Sequence, residues 1–246
     1  MTRAESRAEF RRRAVKPRDA WWTVLVIDPL ALPVLSLLVR TRRVTPLKIT
    51  IVAAVFGLGS VVAFFSGHLV VGAILFEIRF FLDCLDGKLA RIRGLASSRG
   101  AFVDLTSDVV LISASIAGLG WHLAHAAPHV PLALSGSATF ACLVLFWLIL
   151  YDLDHPRAAV RTDVTAPSRI DRWLRHHRLV RLPRTVEIET LLLFVAPLTG
   201  SGLVLRVSFV IALAYYVVAA PRLFARLWGQ TDPPGPGRDS ATQEPG

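Results

Sequence analysis

Four aspartates lie where a membrane protein ordinarily has apolar residues. Asp83, Asp86, Asp104 and Asp108 occur within the segment DCLDGKLARIRGLASSRGAFVDLTSD, and long apolar runs flank it on both sides. A charged side chain at the centre of a bilayer costs about 2.5–3.5 kcal/mol on translocon-insertion scales. Four carboxylates in such a place therefore need compensation, and the simplest compensation is a bound divalent metal ion.

The spacing of these carboxylates predicts that they face one another. On an α-helix, residues three, four and seven positions apart share one face. Two sets of motif residues meet this condition: Asp83, Asp86, Gly87 and Ala90 on one predicted helix, and Gly100, Asp104 and Asp108 on the next. When the two faces pack together, four carboxylates converge on one volume, and the small residues allow a ligand or a backbone to approach closely. Oxygen ligands without His or Cys favour Mg or Mn over Zn or Cu.

These residues resemble the signature of the CDP-alcohol phosphotransferases, which are also called CDP-alcohol phosphatidyltransferases. The signature is D-x-x-D-G-x-x-A-R-x8-G-x-x-x-D-x-x-x-D, and the segment from Asp83 to Asp108 carries all eight of its fixed residues. The match covers a small part of the chain, but it is highly specific. The apolar segments on either side extend the resemblance over most of the remaining chain.

The resemblance implies an enzyme of phospholipid biosynthesis that transfers a substituted phosphate from CDP-diacylglycerol to an alcohol and releases CMP. It also implies Mg or Mn as the cofactor, as two ions, and a role for each motif residue. The implied metal ligands are Asp83, Asp86, Asp104 and Asp108, the implied general base is Asp108, and the residues implied to accommodate or bind the donor are Gly87, Ala90, Arg91 and Gly100. A homodimer is a further expectation from the family.

The composition of the chain is typical of a membrane protein. The sequence has 246 residues, of which 53% are hydrophobic, and a mean hydropathy of +0.52. The formal net charge of +10 could indicate nucleic-acid binding, but the basic residues lie beside apolar segments. That distribution favours cytoplasmic loops that are attracted to anionic lipid headgroups. We therefore expect membrane lipid, and no nucleic acid, as a partner.

The apolar segments predict an all-α, polytopic integral membrane protein with six transmembrane helices. We place these helices at residues 46–65, 69–91, 100–124, 131–151, 187–198 and beyond, and 203–223, since a span requires about 20 residues. Residues 21–39 are also apolar, but they contain Asp28 and Pro33 and have basic residues on both sides. We interpret them as an interfacial or juxtamembrane helix anchored by Trp21 and Trp22, with a seventh span as the alternative.

The distribution of Lys and Arg predicts the orientation of the protein in the cell (inner) membrane. The loops near Gly67, His125 and Gly202 contain one basic residue, Arg206, whereas the other connections are rich in Arg. We therefore expect both termini, the turn within the motif and the active site to face the cytoplasm. We divide the chain into a basic and juxtamembrane part at 1–44, a membrane domain at 45–226 and a disordered tail at 227–246.

Two features near the motif leave alternatives open. Relatives often have Asn after Thr-Pro at the start of the first span, but this chain has Leu47. Thr45 and Thr50 then become candidates to contribute hydroxyl groups, with helix capping and packing as the alternative. Arg79 lies one turn before Asp83, and we expect it either to pair with that aspartate or to contact a substrate.

The motif does not identify the acceptor alcohol. A phosphorylated acceptor requires a second basic cluster, which arginines after the fourth span could supply: Arg157, Arg161, Arg169, Arg172, Arg175, Arg178, Arg181 and Arg184. The positive-inside rule also accounts for each of them and is the simpler interpretation. Lys88, at a variable motif position, is expected to add only charge. The alternative to an enzyme is a non-catalytic metal-binding membrane protein or an ion transporter, although neither requires the Gly, Ala and Arg of the motif.

Overall fold

Helices account for nearly all of the described residues. The computed structural model describes residues 3–41, 43–126, 131–154, 168–180 and 184–228. Its α-helices are α1 (Arg3–Ala14), α2 (Asp28–Leu38), α3 (Pro46–Phe65), α4 (Leu69–Arg93), α5 (Ser98–Ala126), α6 (Leu132–Asp154), α7 (Arg169–His176), α8 (Thr185–Thr190), α9 (Ala196–Thr199) and α10 (Gly202–Trp228). Two π-helical segments, Thr23–Ile27 and Leu191–Val195, continue directly into α2 and α9. These residues contain no β-strand, only an isolated parallel bridge between Asp19 and Leu179, so the all-α prediction is confirmed.

Four of the described helices, rather than the predicted six, are long and apolar enough to cross a membrane. Their candidate spans are Pro46–Phe65 in α3, Ser98–His125 in α5, Leu132–Asp152 in α6 and Gly202–Ala225 in α10. α4 has 25 residues, but charged side chains recur from Glu77 onward. The helix predicted as the fifth span runs from residue 185 to residue 199. That is about 22 Å at 1.5 Å per residue, against a hydrocarbon core of about 30 Å.

The long helices form a bundle with an apolar interior. α3 packs against α4 and α5, α5 packs against α6, and α6 packs against α10. The largest fully buried side chains of the main core include Phe64, Ile116, Phe209 and Tyr216. Gly57 permits a close approach of α3 to α5, because a Cβ atom there would lie 2.7 Å from Leu111 Cδ1. Val62, Val110 and Val217 are exposed on the outside of the bundle, as expected for surfaces that contact lipid.

The N-terminal residues form a layer on α4. α1 and α2 both pack against α4. This layer has its own apolar cluster, which includes Ala14, Ile27, Leu35, Leu85 and Leu89. The indole of Trp22 donates to Glu77 Oε1 at 2.8 Å, and the indole of Trp21 donates to the carbonyl of Val180 at 2.8 Å. The two tryptophans that the sequence predicted as headgroup anchors therefore bond within the protein, and the apolar helix Thr23–Leu38 is shorter than the four candidate spans.

A short connection joins α4 to α5 and so determines how the two halves of the motif meet. Gly94 follows the last residue of α4 with a φ of +67°, in the left-handed region that favours glycine. At the start of α5, Ser97 Oγ accepts a hydrogen bond from Gly100 N at 3.1 Å. The guanidinium of Arg93 donates to three carbonyls between the end of α2 and the start of α3, those of Leu38, Thr41 and Val44. The end of α4 is thus fixed both by its own cap and by the N-terminal layer.

Candidate metal centre

Three carboxylates meet between α4 and α5. Asp83 and Asp86 of α4 and Asp104 of α5 each offer one oxygen atom, and these oxygens lie within 4.8 Å of one another. In an octahedral site with metal–oxygen distances of about 2.1 Å, oxygens on opposite sides of the ion are about 4 Å apart. Asp86 is buried, while Asp83 and Asp104 are half-buried. The closeness and the chemistry of these oxygens fit a hard divalent cation such as Mg²⁺ or Mn²⁺.

The carboxylate of Asp86 is oriented by a hydroxyl group from α3. Thr50 Oγ1 lies 2.6 Å from Asp86 Oδ2 and 3.2 Å from the carbonyl oxygen of Pro46. A hydroxyl group has one proton to donate, and the shorter contact with the carboxylate is the stronger one. Thr45 has a local role instead, because its side chain accepts a hydrogen bond from Lys48 N at the start of α3. Of the two candidate threonines, Thr50 contributes to the site and Thr45 caps a helix.

Asp108 pairs with a cation and is not one of the three grouped carboxylates. Arg79 Nη2 of α4 donates to Asp108 Oδ1 of α5. The side chain of Arg79 is 3% exposed, whereas that of Asp108 is 22% exposed. Of the two alternatives predicted for Arg79, the ion pair with Asp83 was wrong, because the structure pairs Arg79 with Asp108, while a substrate contact stays a prediction. The roles of Asp108 as a metal ligand and as a general base stay predictions.

A further buried carboxylate, which the sequence did not indicate, faces the same region from α8. Four carboxylates lie close enough to Arg79 to interact with its charge: Asp83, Asp104, Asp108 and Glu189. Glu189 is 5% exposed, and its Oε1 atom has no hydrogen-bond partner among the described residues. In the sequence, Glu189 looked like an ordinary acidic residue in the first turns of a helix. No local signal distinguishes it from Glu187, so only the tertiary structure reveals its position.

A cavity of about 520 Å³ opens beside the three carboxylates. Six motif residues line it: Asp86, Gly87, Ala90, Arg91, Gly100 and Asp104. A Cβ atom added at Gly87 would meet only Arg91 Nη1, at 3.6 Å, so a ligand can approach the backbone of α4 closely at this point. Leu47, at the position where relatives often have Asn, also lines the cavity. The four residues predicted to accommodate a donor thus border one space, next to the candidate metal ligands.

Arg91 holds the N-terminal layer with one edge of its guanidinium. Its Nε and Nη2 atoms donate to the carbonyl of Ala14, at 3.1 Å and 2.9 Å. Ala14 is the last residue of α1 and is fully buried. The remaining Nη1 atom of Arg91 lies toward Gly87 and the cavity. Arg91 therefore makes a structural contact through Nε and Nη2. Nη1 is the nitrogen that remains for the predicted contact with a donor phosphate.

Lys88 belongs to an ionic cluster on the other side of α4. Lys88 Nζ lies 3.1 Å from Asp28 Oδ1, and Arg178 Nη1 lies 3.0 Å from Asp28 Oδ2. The side chains of Lys88 and Asp28 are each 3% exposed. The expectation that Lys88 adds only charge was wrong, because its ammonium group pairs with a buried carboxylate. The single signal in the sequence was an aspartate within the apolar residues 21–39.

A second cavity, of about 600 Å³, is basic. Its lining includes Lys16, Arg18 and Arg184 together with Asp19 and Asp171. The other arginines considered for an acceptor phosphate have different positions. Arg157, Arg161 and Arg181 lie outside the described residues, as does the predicted tail from residue 229 onward. Arg169, Arg172 and Arg175 are exposed on α7, and Arg178 binds Asp28. Among the described arginines that the sequence predicted for an acceptor phosphate, Arg184 therefore lines the basic cavity.

Comparisons with known proteins agree with the motif. The model of the CDP-alcohol phosphatidyltransferase family matches residues 43–219. A phosphatidylinositol phosphate synthase of Corynebacterium glutamicum is 31% identical over 122 residues, which cover 48% of this chain and 53% of that protein. The protein of the same name from Mycobacterium tuberculosis H37Rv is 34% identical over 108 residues, or 44% of this chain and 48% of that protein. The chain thus spans about half the length of the curated relatives it matches.

Solved structures show the same fold. A crystal structure of Mycobacterium tuberculosis phosphatidylinositol phosphate synthase in complex with manganese and citrate aligns with a TM-score of 0.59 and 21% identity, covering 87% of this chain and 97% of that one. The structure of the same protein with CDP-DAG bound aligns with the same TM-score and identity, covering 85% and 98%. At this level of identity the likeness concerns the fold alone. The family model, however, covers most of the chain, and the protein belongs to the CDP-alcohol phosphatidyltransferase family.

Proposed function

We propose that this protein transfers a phosphatidyl group from CDP-diacylglycerol to an alcohol, releasing CMP, in phospholipid biosynthesis. The observation that carries the proposal is the convergence of three carboxylate oxygens within 4.8 Å beside a cavity that the small and cationic motif residues line. Family membership supports the reaction class. The solved relative with CDP-DAG bound supports the identity of the donor.

We assign the metal ligands to Asp83, Asp86 and Asp104, with Asp108 completing a site for two ions. The complex of a structural relative with manganese supports this assignment, and both Mn and Mg fit the oxygen ligands. When bound, such ions neutralise the donor diphosphate and stabilise the phosphate that leaves. Thr50 keeps the Asp86 carboxylate in one orientation, as partners of metal ligands commonly do.

The donor binds in the cavity of about 520 Å³ in this proposal. Gly87 leaves the backbone of α4 open to the nucleotide, and Ala90 and Gly100 keep the adjoining walls free of large side chains. Arg91 Nη1 binds a phosphate oxygen of the donor, while Nε and Nη2 remain on the Ala14 carbonyl. The acyl chains of the donor stay in lipid, because exposed apolar side chains surround the bundle.

Asp108 acts as the general base in this proposal. The acceptor hydroxyl oxygen attacks the phosphorus of the phosphatidyl group, a new phosphorus–oxygen bond forms, and the bond to the CMP oxygen breaks. The proton of the hydroxyl group passes to a carboxylate oxygen of Asp108. Asp108 is the motif carboxylate that lies outside the group of three, and it is partly exposed. Its partial exposure supports contact with an acceptor, in addition to its role in completing the metal site.

The acceptor is an inositol phosphate-type alcohol in this proposal. The curated relatives are phosphatidylinositol phosphate synthases. A phosphorylated acceptor needs cationic side chains, and the basic cavity provides Arg18 and Arg184. Lys16 lines both this cavity and the cavity assigned to the donor, so the two spaces adjoin. An acceptor phosphate in the basic cavity would place the acceptor next to the donor.

We further propose that the four apolar helices cross the cell membrane, with the active site facing the cytoplasm and a homodimer as the assembly. α4 packs beside these helices, and its Arg79, Asp86 and Lys88 are buried within the protein rather than facing lipid. The shorter helix from residue 185 to residue 199 packs against α4 and α10. The Lys and Arg pattern of the loops supports the cytoplasmic orientation.

The test is CMP release by purified protein in detergent with CDP-diacylglycerol, Mg²⁺ or Mn²⁺, and a panel of alcohols that includes inositol phosphate, glycerol phosphate and serine. We expect release only when inositol phosphate is present, and loss of release in Asp108→Asn. Release with a different alcohol would overturn the acceptor assignment alone. A folded protein that binds Mn²⁺ but releases no CMP with any alcohol would instead support a non-catalytic metal-binding protein or a transporter.

A further inference from the structure

Lys16 contributes to the walls of two adjoining cavities. It lines the cavity that contains Asp86, Gly87 and Arg91, and it also lines the basic cavity that contains Arg18. Lys16 follows α1 and lies outside residues 43–219, which match the family model. The N-terminal segment therefore supplies a cationic side chain to a space whose other polar side chains belong to Thr50 of α3 and to the segment between Asp86 and Asp104, which includes Arg91, Ser97 and Arg99.

Two guanidinium groups fix the backbone at Lys16. Arg91 donates to the carbonyl of Ala14 through Nε and Nη2, at 3.1 Å and 2.9 Å. Arg178 donates to the carbonyl of Lys16 itself through Nε and Nη2, at 3.2 Å and 3.0 Å. Each carbonyl thus accepts two hydrogen bonds from a planar fork, which restricts both position and orientation. The backbone of Lys16 is held although its side chain is exposed.

Arg178 is in turn held by the motif helix. Its Nη1 atom binds Asp28 Oδ2 at 3.0 Å, and Asp28 Oδ1 lies 3.1 Å from Lys88 Nζ. Arg178 has a φ of +61°, which is unusual for a residue other than glycine and persists where the surroundings fix it. Its carbonyl also accepts a hydrogen bond from Asp19 N at 2.9 Å. α4 therefore holds the segment around Lys16 twice, directly through Arg91 and indirectly through Lys88, three residues earlier.

We propose that Lys16 is a further donor-binding residue whose ammonium group binds the phosphates of the CDP-linked donor. This inference rests on the proposed function, because it takes the cavity of about 520 Å³ as the donor site. The donor diphosphate carries negative charge, and two of the three guanidinium nitrogens of Arg91 are occupied by Ala14. An ammonium group on a flexible stem can reach phosphate oxygens that a fixed guanidinium cannot. Asp28 and Arg178 are then positioning residues for Lys16.

The experiment measures CDP binding to full-length protein in detergent with Mn²⁺ by isothermal titration calorimetry, beside steady-state kinetics. We expect Lys16→Gln to raise the Kd for CDP about tenfold, the effect of losing one charge-assisted hydrogen bond. Lys16→Arg keeps the charge and should stay within about threefold of wild type. Arg12→Gln removes a charge from the same segment, at a side chain that is 80% exposed and pairs with Glu9, and should leave the Kd unchanged. The KM for CDP-diacylglycerol should rise in Lys16→Gln while kcat changes less.

The positioning role has a separate readout. Asp28→Asn should also raise the Kd for CDP, and combining it with Lys16→Gln should add little, because both changes act through one contact. Fully additive effects would overturn the positioning role, and an unchanged Kd in Lys16→Gln would overturn the role of Lys16. Wild-type protein that binds no CDP would overturn both this proposal and the proposed function. Binding that depends on Lys16, without CMP release with any alcohol, would overturn only the proposed function.

Discussion

Arg79 of α4 and Asp108 of α5 form an ion pair between the two helices that carry the motif. Arg79 is 3% exposed, so water contributes little to the solvation of its charge. Removing one partner of a buried pair leaves an uncompensated charge and typically destabilises a protein by about 3–5 kcal/mol. The pair therefore fixes α4 against α5 at a point one turn from Asp83 and one turn from Asp104, two of the three grouped carboxylates.

Arg79→Gln is expected to destabilise the protein by roughly 2–4 kcal/mol, somewhat less than a fully buried pair because Asp108 is partly exposed. Thermal unfolding in detergent measures the effect. The double variant Arg79→Gln with Asp108→Asn removes both charges and should recover part of the lost stability. A double variant that is no more stable than Arg79→Gln alone would show that the pair does not hold the helices together.

Thr50→Val should weaken metal binding about 10- to 100-fold, the usual effect of losing a partner that orients a metal ligand. The physical reason is the 2.6 Å hydrogen bond from Thr50 Oγ1 to Asp86 Oδ2. Titration of the purified protein with Mn²⁺, followed by electron paramagnetic resonance, measures the affinity directly. Thr50→Ser keeps the hydroxyl group and serves as the matched control. Equal affinities of the valine and serine variants would remove Thr50 from the site.

Gly87→Ala should impair donor binding without harming the fold. A Cβ atom at Gly87 meets only Arg91 Nη1 at 3.6 Å, and alanine is favoured over glycine within a helix by about 0.5–1 kcal/mol. Unfolding temperature should therefore be unchanged or higher, while the KM for CDP-diacylglycerol rises. Gly57→Ala provides the contrast, because its Cβ atom would lie 2.7 Å from Leu111 Cδ1 and should lower stability. A stable Gly87→Ala protein with an unchanged KM would contradict the assignment of the cavity.

Mn²⁺ should stabilise the wild-type protein against heat, since an ion that binds only the folded state adds about 2.7 kcal/mol at a concentration 100 times its Kd. Three carboxylates with oxygens within 4.8 Å of one another repel one another when no cation is bound. EDTA should reverse the gain, and Asp86→Asn should largely abolish it. Glu9→Gln, on the surface of α1, is the control that should behave as wild type. Stabilisation of equal size in Asp86→Asn would place the ion elsewhere.

The convergence of Asp83, Asp86 and Asp104 could be predicted because it depends on local rules. Helical spacing fixes which residues share a face, and a short connection brings neighbouring helices together. The same rules placed Gly87 and Gly100 near the carboxylates, and both line the cavity. Residue types and spacing therefore contained most of the candidate site.

The remaining contacts could not be predicted because they join distant parts of the chain. Asp28 pairs with Lys88 and Arg178, and Trp22 bonds to Glu77. These residues are far apart in the sequence, and helical periodicity predicts only contacts between near neighbours. The six-span prediction relied on apolar length. In α4, however, charged residues form ion pairs within the fold, Arg79 with Asp108 and Lys88 with Asp28. The helix from residue 185 to residue 199 is about 22 Å long, which is less than the hydrocarbon core of about 30 Å. The spacing on α4 indicated Asp83 as the partner of Arg79. The pair with Asp108 depends on how α5 packs against α4, which the sequence does not reveal.

The most direct test of phosphatidyl transfer follows CMP and the new phospholipid in one reaction, with purified protein, CDP-diacylglycerol, inositol phosphate and Mn²⁺. We expect CMP and the lipid to appear in equal amounts and EDTA to stop the formation of both. Asp104→Asn, which removes one of the three grouped carboxylates, should abolish both. CMP release without a new lipid would contradict transfer to the alcohol, and equal rates with and without metal would contradict the metal centre.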